Sequence, residues 1–259
     1  VSNPSPARSL PDPEILLEDG AVLVLNKPGG LLTQSPPNID SLELRMKQFL
    51  KIREEKPGKV YLGVPHRLDR PVSGVIVVVK NVRAASRISE QLRERTVTKT
   101  YWTVVDGVPE TESGTWQNWM RKIPDEAKSE IVEEKHADAK SAVLHFRVLA
   151  SDQSQGHSLI EIELETGRTH QIRLQCAARG LPILGDALYG STKQFGPETM
   201  DIRKRWIALH ARRLAFTHPI SKEPVDVTAE LPEYWRPYAN LTSVHEDSTK
   251  NISENGLES

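Results

Sequence analysis

The run Gly74-Val75-Ile76-Val77-Val78-Val79-Lys80 constrains the fold of this chain more than any other stretch. β-branched side chains fill it and no polar residue alternates with them, which marks a strand buried on both faces. Its apolar core, residues 75–79, is the longest in the sequence and far shorter than the roughly 18 residues that span a bilayer. Directly before it stands Val64-Pro65-His66-Arg67-Leu68-Asp69-Arg70-Pro71-Val72-Ser73, a polar segment in which Pro71 and the following Gly74 disfavour a helix. A polar loop anchored to a buried strand is a usual place for a reactive group, so Asp69 is a candidate. On the residues alone, a turn-capping Asp among solvated arginines is equally open.

Other segments extend this to a sheet. Residues 21–26 (AVLVLN) read as a strand ended by Lys27-Pro28-Gly29-Gly30. A helix follows, with Asp40 as N-cap, Glu43 completing a capping box, and Leu42, Met46, Phe49 and Leu50 at helical spacing. Asn81 can cap a second helix reaching Arg95, with Ala85, Ile88 and Leu92 facing inward. Strands are expected at 98–106, 142–150 and 159–165, the last alternating as LIEIELE. Thr169 is the expected cap of a helix running to Arg179, stopped by Gly180 and Pro182. The pattern predicts an α+β fold with a mixed, mainly antiparallel sheet. Residues 14–240 parse as one catalytic-size domain. Four prolines make 1–13 an extended arm, and polar 241–259 a flexible tail.

Hydrophobic residues make up 37% of the 259 and charged residues 27%, which fits a soluble globular chain; one cysteine excludes an intrachain disulfide framework. A reducing, cytoplasmic setting is the default expectation. The net charge of -1 conceals unevenness: +5 over 64–100, +4 over 201–220, -4 over 125–138 and -3 over 241–259. Charge alone permits either solvated helix faces or a nucleic-acid surface. Gly29-Gly30 lacks the G-x-G-x-x-G spacing of a dinucleotide loop.

Several segments, in order, resemble the RluA family of RNA pseudouridine synthases. Residues 66–78 (HRLDRPVSGVIVV) resemble its catalytic motif, and Lys99-Thr100-Tyr101 its K-x-Y motif. Gly167-Arg168-Thr169-His170-Gln171-Ile172-Arg173 is similar to its third motif. Residues 25–31 (LNKPGGL), Gly185-Asp186 to Tyr189-Gly190, and Leu209-His210-Ala211 to Thr217-His218-Pro219 also fit, so the resemblance covers about 15–231. Singly these motifs are weak; their ordered conjunction is specific.

The resemblance implies the pseudouridine-synthase α+β fold with a central cleft, and conversion of a uridine in structured RNA into pseudouridine. The N1–C1′ bond breaks and C5 joins C1′. Atoms are only rearranged, so no cofactor, metal or ATP is implied. Asp69 becomes the essential carboxylate, attacking ribose C1′ or base C6, or stabilising charge. Arg173 becomes its ionic partner, aiming both oxygens bidentately. Tyr101 would stack under the target base, and Arg67 would occupy the gap left when the base is flipped out. Leu174 packs on the base or in the core. His66 and Arg70 contact RNA or nearby backbone. Lys27, Arg168 and His170 are phosphate contacts or structural hydrogen-bonders, and His210 and His218 are read as structural. The basic helix from Asn81 to Arg95 is expected to track the RNA backbone.

The implied partner is a tRNA or rRNA stem-loop, bound by a monomer without a membrane. Only about twenty residues precede the first expected strand, so an S4 RNA-binding module is expected to be absent. The alternative is a non-catalytic RNA-binding or ribosome-assembly factor on the same fold. A more distant rival is a hydrolase of free nucleosides.

Overall fold

β3 (Ser73–Val79) is buried at every position and lies inside a ten-stranded sheet, as its unbroken Val/Ile content demands. The computed structural model describes residues 14–239; the expected arm 1–13 and tail 241–259 lie outside the described residues. In chain order the elements are β1 (Glu14–Asp19), β2 (Val22–Lys27), α1 (Leu42–Arg53), β3, α2 (Val82–Arg93), β4 (Thr98–Asp106) and β5 (Ser113–Lys122). They continue with β6 (Ser129–Val132), β7 (Lys140–Asp152), β8 (His157–Leu164), α3 (Gln171–Ala177), β9 (Leu209–Thr217) and β10 (Pro224–Thr228). The sheet runs β1-β2-β3-β9-β4-β8-β7-β5-β6, with β10 on β9. All pairings are antiparallel except β3 with β9. This is the expected α+β class with a mixed, mainly antiparallel sheet.

The parallel junction needs a glycine. Gly74 has φ +115°, and a Cβ there would fall 2.3 Å from the Ala211 carbonyl oxygen. Glycine alone lets the two backbones approach so closely. Beside it, Ser73 Oγ meets His210 Nδ1 at 2.8 Å, and His210 is fully buried.

Two expected helix caps are corrected. α1 is capped by Ser41, whose hydroxyl accepts from Leu44 N–H; Asp40 is instead clamped by Arg45 at 2.6 Å. α3 starts after His170, not Thr169, and no side chain caps it. α2 keeps Asn81 as its cap, accepting from Ala84 N–H. Its fully buried positions are Ala84 and Ile88, with Ala85 and Leu92 half-buried against the core.

Burial holds His66 and His210 neutral, each down to about 4. Ordinary histidines take up a proton near 6.5, so between these values the unfolded chain binds more protons than the folded one. Stability is therefore fully present above about pH 6.5 and declines as pH falls toward 4. Urea midpoints measured across that window should fall steadily, with a net uptake of protons on unfolding near pH 5 to which His66 and His210 contribute about one each. His210→Gln should flatten the decline.

Candidate active site

The segment expected to carry the chemistry is held from both sides. Lys27, at the end of β2, is fully buried; its Nζ donates to the carbonyls of Pro28 (2.9 Å), Leu31 (2.8 Å) and Arg70 (3.4 Å). It thereby ties the Pro28–Gly30 turn to the Asp69 loop. Thr33 Oγ1 donates to Leu68 O and accepts from Leu68 N–H, fixing the peptide next to Asp69. His66 Nε2 accepts from Val77 N–H of β3 at 3.0 Å. Val72 N–H closes a turn on Asp69 O, and Ile207 N–H reaches Pro71 O. Backbone hydrogen bonds and a buried ammonium thus make the loop rigid, which suits a positioned reactive group.

These contacts place Lys27 and His66. Lys27 holds the loop and is fully buried. Burial drops its ammonium to about 7, against the opposing pull of Asp69. Lys27→Met should leave those carbonyls short of a donor and lower stability by on the order of 1–3 kcal/mol. The salt dependence of RNA binding should not change, which separates a structural Lys27 from a phosphate contact. His66 is likewise neutral and occupied by β3 on one nitrogen.

Across the cavity, α3 presents Arg173. Its guanidinium is 5% exposed and donates Nη1–H to Asp69 Oδ2 at 3.3 Å. The expected bidentate grip on Asp69 is not formed. The two-point partner is Asp186, whose oxygens accept from Arg173 Nε at 2.6 Å and Nη2 at 2.8 Å. With Asp186 seated on the Nε–Nη2 edge, Asp69 meets the guanidinium only at Nη1 and receives a single bond. Burial by itself would lower Arg173; the hydrogen bonds and charge of Asp186, with the charge of Asp69, hold it above the usual arginine value. The Arg173 guanidinium also lies 5.1 Å from the Tyr189 ring centroid.

His170 completes this wall. It adopts the left-handed φ of 55°, an uncommon choice for a residue with a side chain. Its Nε2 stands 3.6 Å from Asp69 Oδ2 and its Nδ1 2.9 Å from Tyr189 Oη. Burial lowers its pKa, outweighing the opposing charge of Asp69, so it is neutral at neutral pH. The turn leading to it is set by Gln171, whose Oε1 accepts from Thr166 Oγ1 and Arg168 N–H while Nε2 reaches Val143 O. Arg168 donates Nε–H to Ser141 O, and its carbonyl receives Gln171 N–H. Ser129 of β6 joins in, donating N–H to Tyr189 Oη and Oγ–H to Thr169 O.

Tyr101 is buried on the cavity side of β4, and neighbouring Trp102 takes the opposite face, donating to Glu161. Burial, then the charge of Asp69, raise the Tyr101 phenol well above its ordinary value. Its hydroxyl therefore does not ionise near neutrality and serves as a neutral group beside any bound ring.

Arg67, Asp69, Tyr101, Arg168, His170 and Arg173 line one concavity of about 150 Å³, with Val72, Leu164, Ile172 and Leu209 as apolar walls. That is below the ~300 Å³ at which pockets hold drug-sized ligands and matches one ring rather than a whole nucleotide. Leu174 is half-buried and is absent from this lining, where Ile172 and Leu164 supply apolar walls. Arg70 also stands outside the lining, and its Nε is buried without a hydrogen-bond partner. His210 and His218 act structurally: His218 Nδ1 accepts from Ile220 N–H and Ser221 N–H in a turn. Asp186 and Tyr189 are the site residues whose roles went unread, although both stand in motifs already noted. Among the described residues, no group of three or more His, Cys, Asp or Glu side chains is arranged to hold a metal, and no helix is long and apolar enough to cross a membrane.

Comparisons with known proteins agree with this arrangement. Residues 21–178 match the family described as RNA pseudouridylate synthase. YhcT of Bacillus subtilis, named an uncharacterized RNA pseudouridine synthase, is 34% identical over 220 residues, covering 85% of this chain and 68% of that protein. Ribosomal large subunit pseudouridine synthase D of Xanthomonas campestris is 34% identical over 243 residues, covering 91% and 70% respectively. Among solved structures, human RNA pseudouridylate synthase domain containing 4 superposes with a TM-score of 0.71 at 24% identity, covering 89% of this chain and 93% of its own, a likeness of fold. With the matched segment spanning the Asp69 loop, the Tyr101 strand and the Arg173 helix, the chain belongs to the RNA pseudouridylate synthase family.

Proposed function

We propose that this protein isomerises a uridine in a stem-loop of rRNA or tRNA, with Asp69 as the catalytic carboxylate and the base flipped into the Asp69–Tyr101–Arg173 cavity. The observation that carries this is the Asp69 Oδ2 to Arg173 Nη1 contact at 3.3 Å, at the edge of a cavity sized for one ring. A carboxylate held in one direction and partly shielded from water is placed as a nucleophile requires. Tyr101 supplies the stacking face. Arg67, exposed at the cavity rim, fills the space vacated in the RNA. The N1–C1′ bond breaks, C5–C1′ forms, the C5 proton leaves to solvent and N1 takes one up, so atoms and electrons balance without a redox partner.

The ribosomal names of several relatives support large-subunit rRNA as the first RNA to try, with tRNA beside it. Tritium release from RNA labelled at uridine C5 tests the proposal directly. Release from rRNA or tRNA, and none from free uridine, is the expected result. No release from any cellular RNA would favour the non-catalytic RNA-binding factor, and turnover of free uridine would favour the nucleoside hydrolase.

A further inference from the structure

A second groove of about 490 Å³ adjoins the catalytic cavity, sharing Arg67, Tyr101, Leu164, Gly167 and Arg168 with it. Its lining is strongly cationic: Arg67, Arg93, Arg95, Lys99 and Arg168 surround a single carboxylate, Glu165. Glu165 is already taken by Arg95 at 2.6 Å and also faces His145 at 3.9 Å. Arg93 sits at the rim, loosely paired with Glu90 at 3.5 Å.

Lys99 stands apart in this set. It is half-buried, two residues before Tyr101 on the same face of β4, yet no hydrogen bond or ion pair holds its ammonium among the described residues. By contrast, Lys80 is satisfied by Glu18, Lys193 by Asp106, and the fully buried Lys27 by three carbonyls. Burial and the nearby charge of Arg95 both lower the Lys99 pKa, as expected of a cation lacking its counter-ion. Gly167 borders the ammonium: a Cβ there would lie 3.8 Å from Lys99 Nζ, an ordinary contact distance. A half-buried cation with no counter-ion is poised to take up an anion.

We propose that this groove is a phosphodiester site, in which Lys99 binds a backbone phosphate of the RNA strand flanking the flipped-out uridine. The inference deepens the pseudouridine-synthase reading and rests on it for the identity of the strand. Lys99 is then a binding and positioning residue: it fixes where the strand turns into the cavity, and Arg93 and Arg95 add to the local field.

The test is binding of a fluorescent RNA hairpin with a uridine-containing loop, titrated across about 50–200 mM salt, for wild type, Lys99→Met and Lys99→Arg. Loss of one single-strand phosphate contact should reduce the slope of log K against log salt by about 0.7 in Lys99→Met, with affinity weakened about three- to tenfold. Lys99→Arg should restore both. In the tritium assay Lys99→Met should raise KM and leave kcat near wild type. Its Tm should hold or rise, because an uncompensated charge is gone. An unchanged salt slope, a collapse of kcat at saturating RNA, or a lowered Tm would overturn the proposal. Should wild type release no tritium while the Lys99-dependent slope persists, the phosphate site stands and the isomerase reading fails.

Discussion

Asp69→Asn is expected to lower tritium release by at least roughly 10³-fold while leaving RNA binding near the wild-type level. The substitution is nearly isosteric, so the loop held by Lys27 and Thr33 has no reason to move. An amide oxygen can still accept the Arg173 Nη1–H bond. What disappears is the negative charge, and with it the capacity to form a covalent bond to a sugar or base carbon. The change does not strand Arg173, because Asp186 still balances its charge through two hydrogen bonds. Loss of activity therefore cannot be assigned to loss of fold, and an unchanged melting temperature should accompany it. Release persisting at more than a tenth of the wild-type rate would refute the role given to Asp69.

What could be read from the chain and what could not divides along physical lines. β3 and β4 were legible because their burial pattern is written in consecutive side chains: all apolar in one, β-rich in the other. β5 was not read as a strand, because Trp116 and Met120 are buried while Gln117, Asn118 and Trp119 between them are partly or fully exposed, a pattern without strict alternation. β9 hides for another reason. Its pairing with β4 shifts register between Thr100 and Tyr101, and the Arg212-Arg213 pair interrupts the apolar alternation. β1 is an edge strand with half-buried residues, so little hydrophobic signal announces it.

The site shows the same division. Asp69, Tyr101 and Arg173 announce themselves through motif order, and the fold brings all three to one cavity. Whether Lys27 faces RNA or the interior depends on burial and on three carbonyls, one of them 43 residues away. The choice between Leu174 and Ile172 depends on where α3 begins. The helix starts after a left-handed His170, which composition does not reveal. Asp186 lies 13 residues beyond Arg173 and outside α3, so no helical spacing links the two. Only the packed structure shows that the arginine's two-point partner is Asp186 and not Asp69.

That geometry leads to a second large effect. Asp186 is 1% exposed and holds two of Arg173's donors, so it fixes the plane from which the third reaches Asp69. Asp186→Ala leaves a buried guanidinium with one distant partner, and breaking a buried pair in this way costs about 3–5 kcal/mol. A domain stable by roughly 5–15 kcal/mol would tolerate that poorly, so its Tm should drop sharply. Asp186→Asn is the more telling variant. One amide oxygen still accepts from the guanidinium, but the second acceptor becomes a donor facing a donor, and Arg173 is released to turn toward Asp69. The carboxylate would then be gripped at both oxygens and displaced from its attacking direction. Misplacement of about 1 Å is enough to cost on the order of 10²-fold, so kcat should fall by about that factor with KM little changed. Single-turnover rates at saturating RNA, beside circular-dichroism melting, separate the two consequences. A variant that melts early yet keeps full kcat would show that Asp186 serves the fold alone and that Arg173 is positioned by its packing against Tyr189.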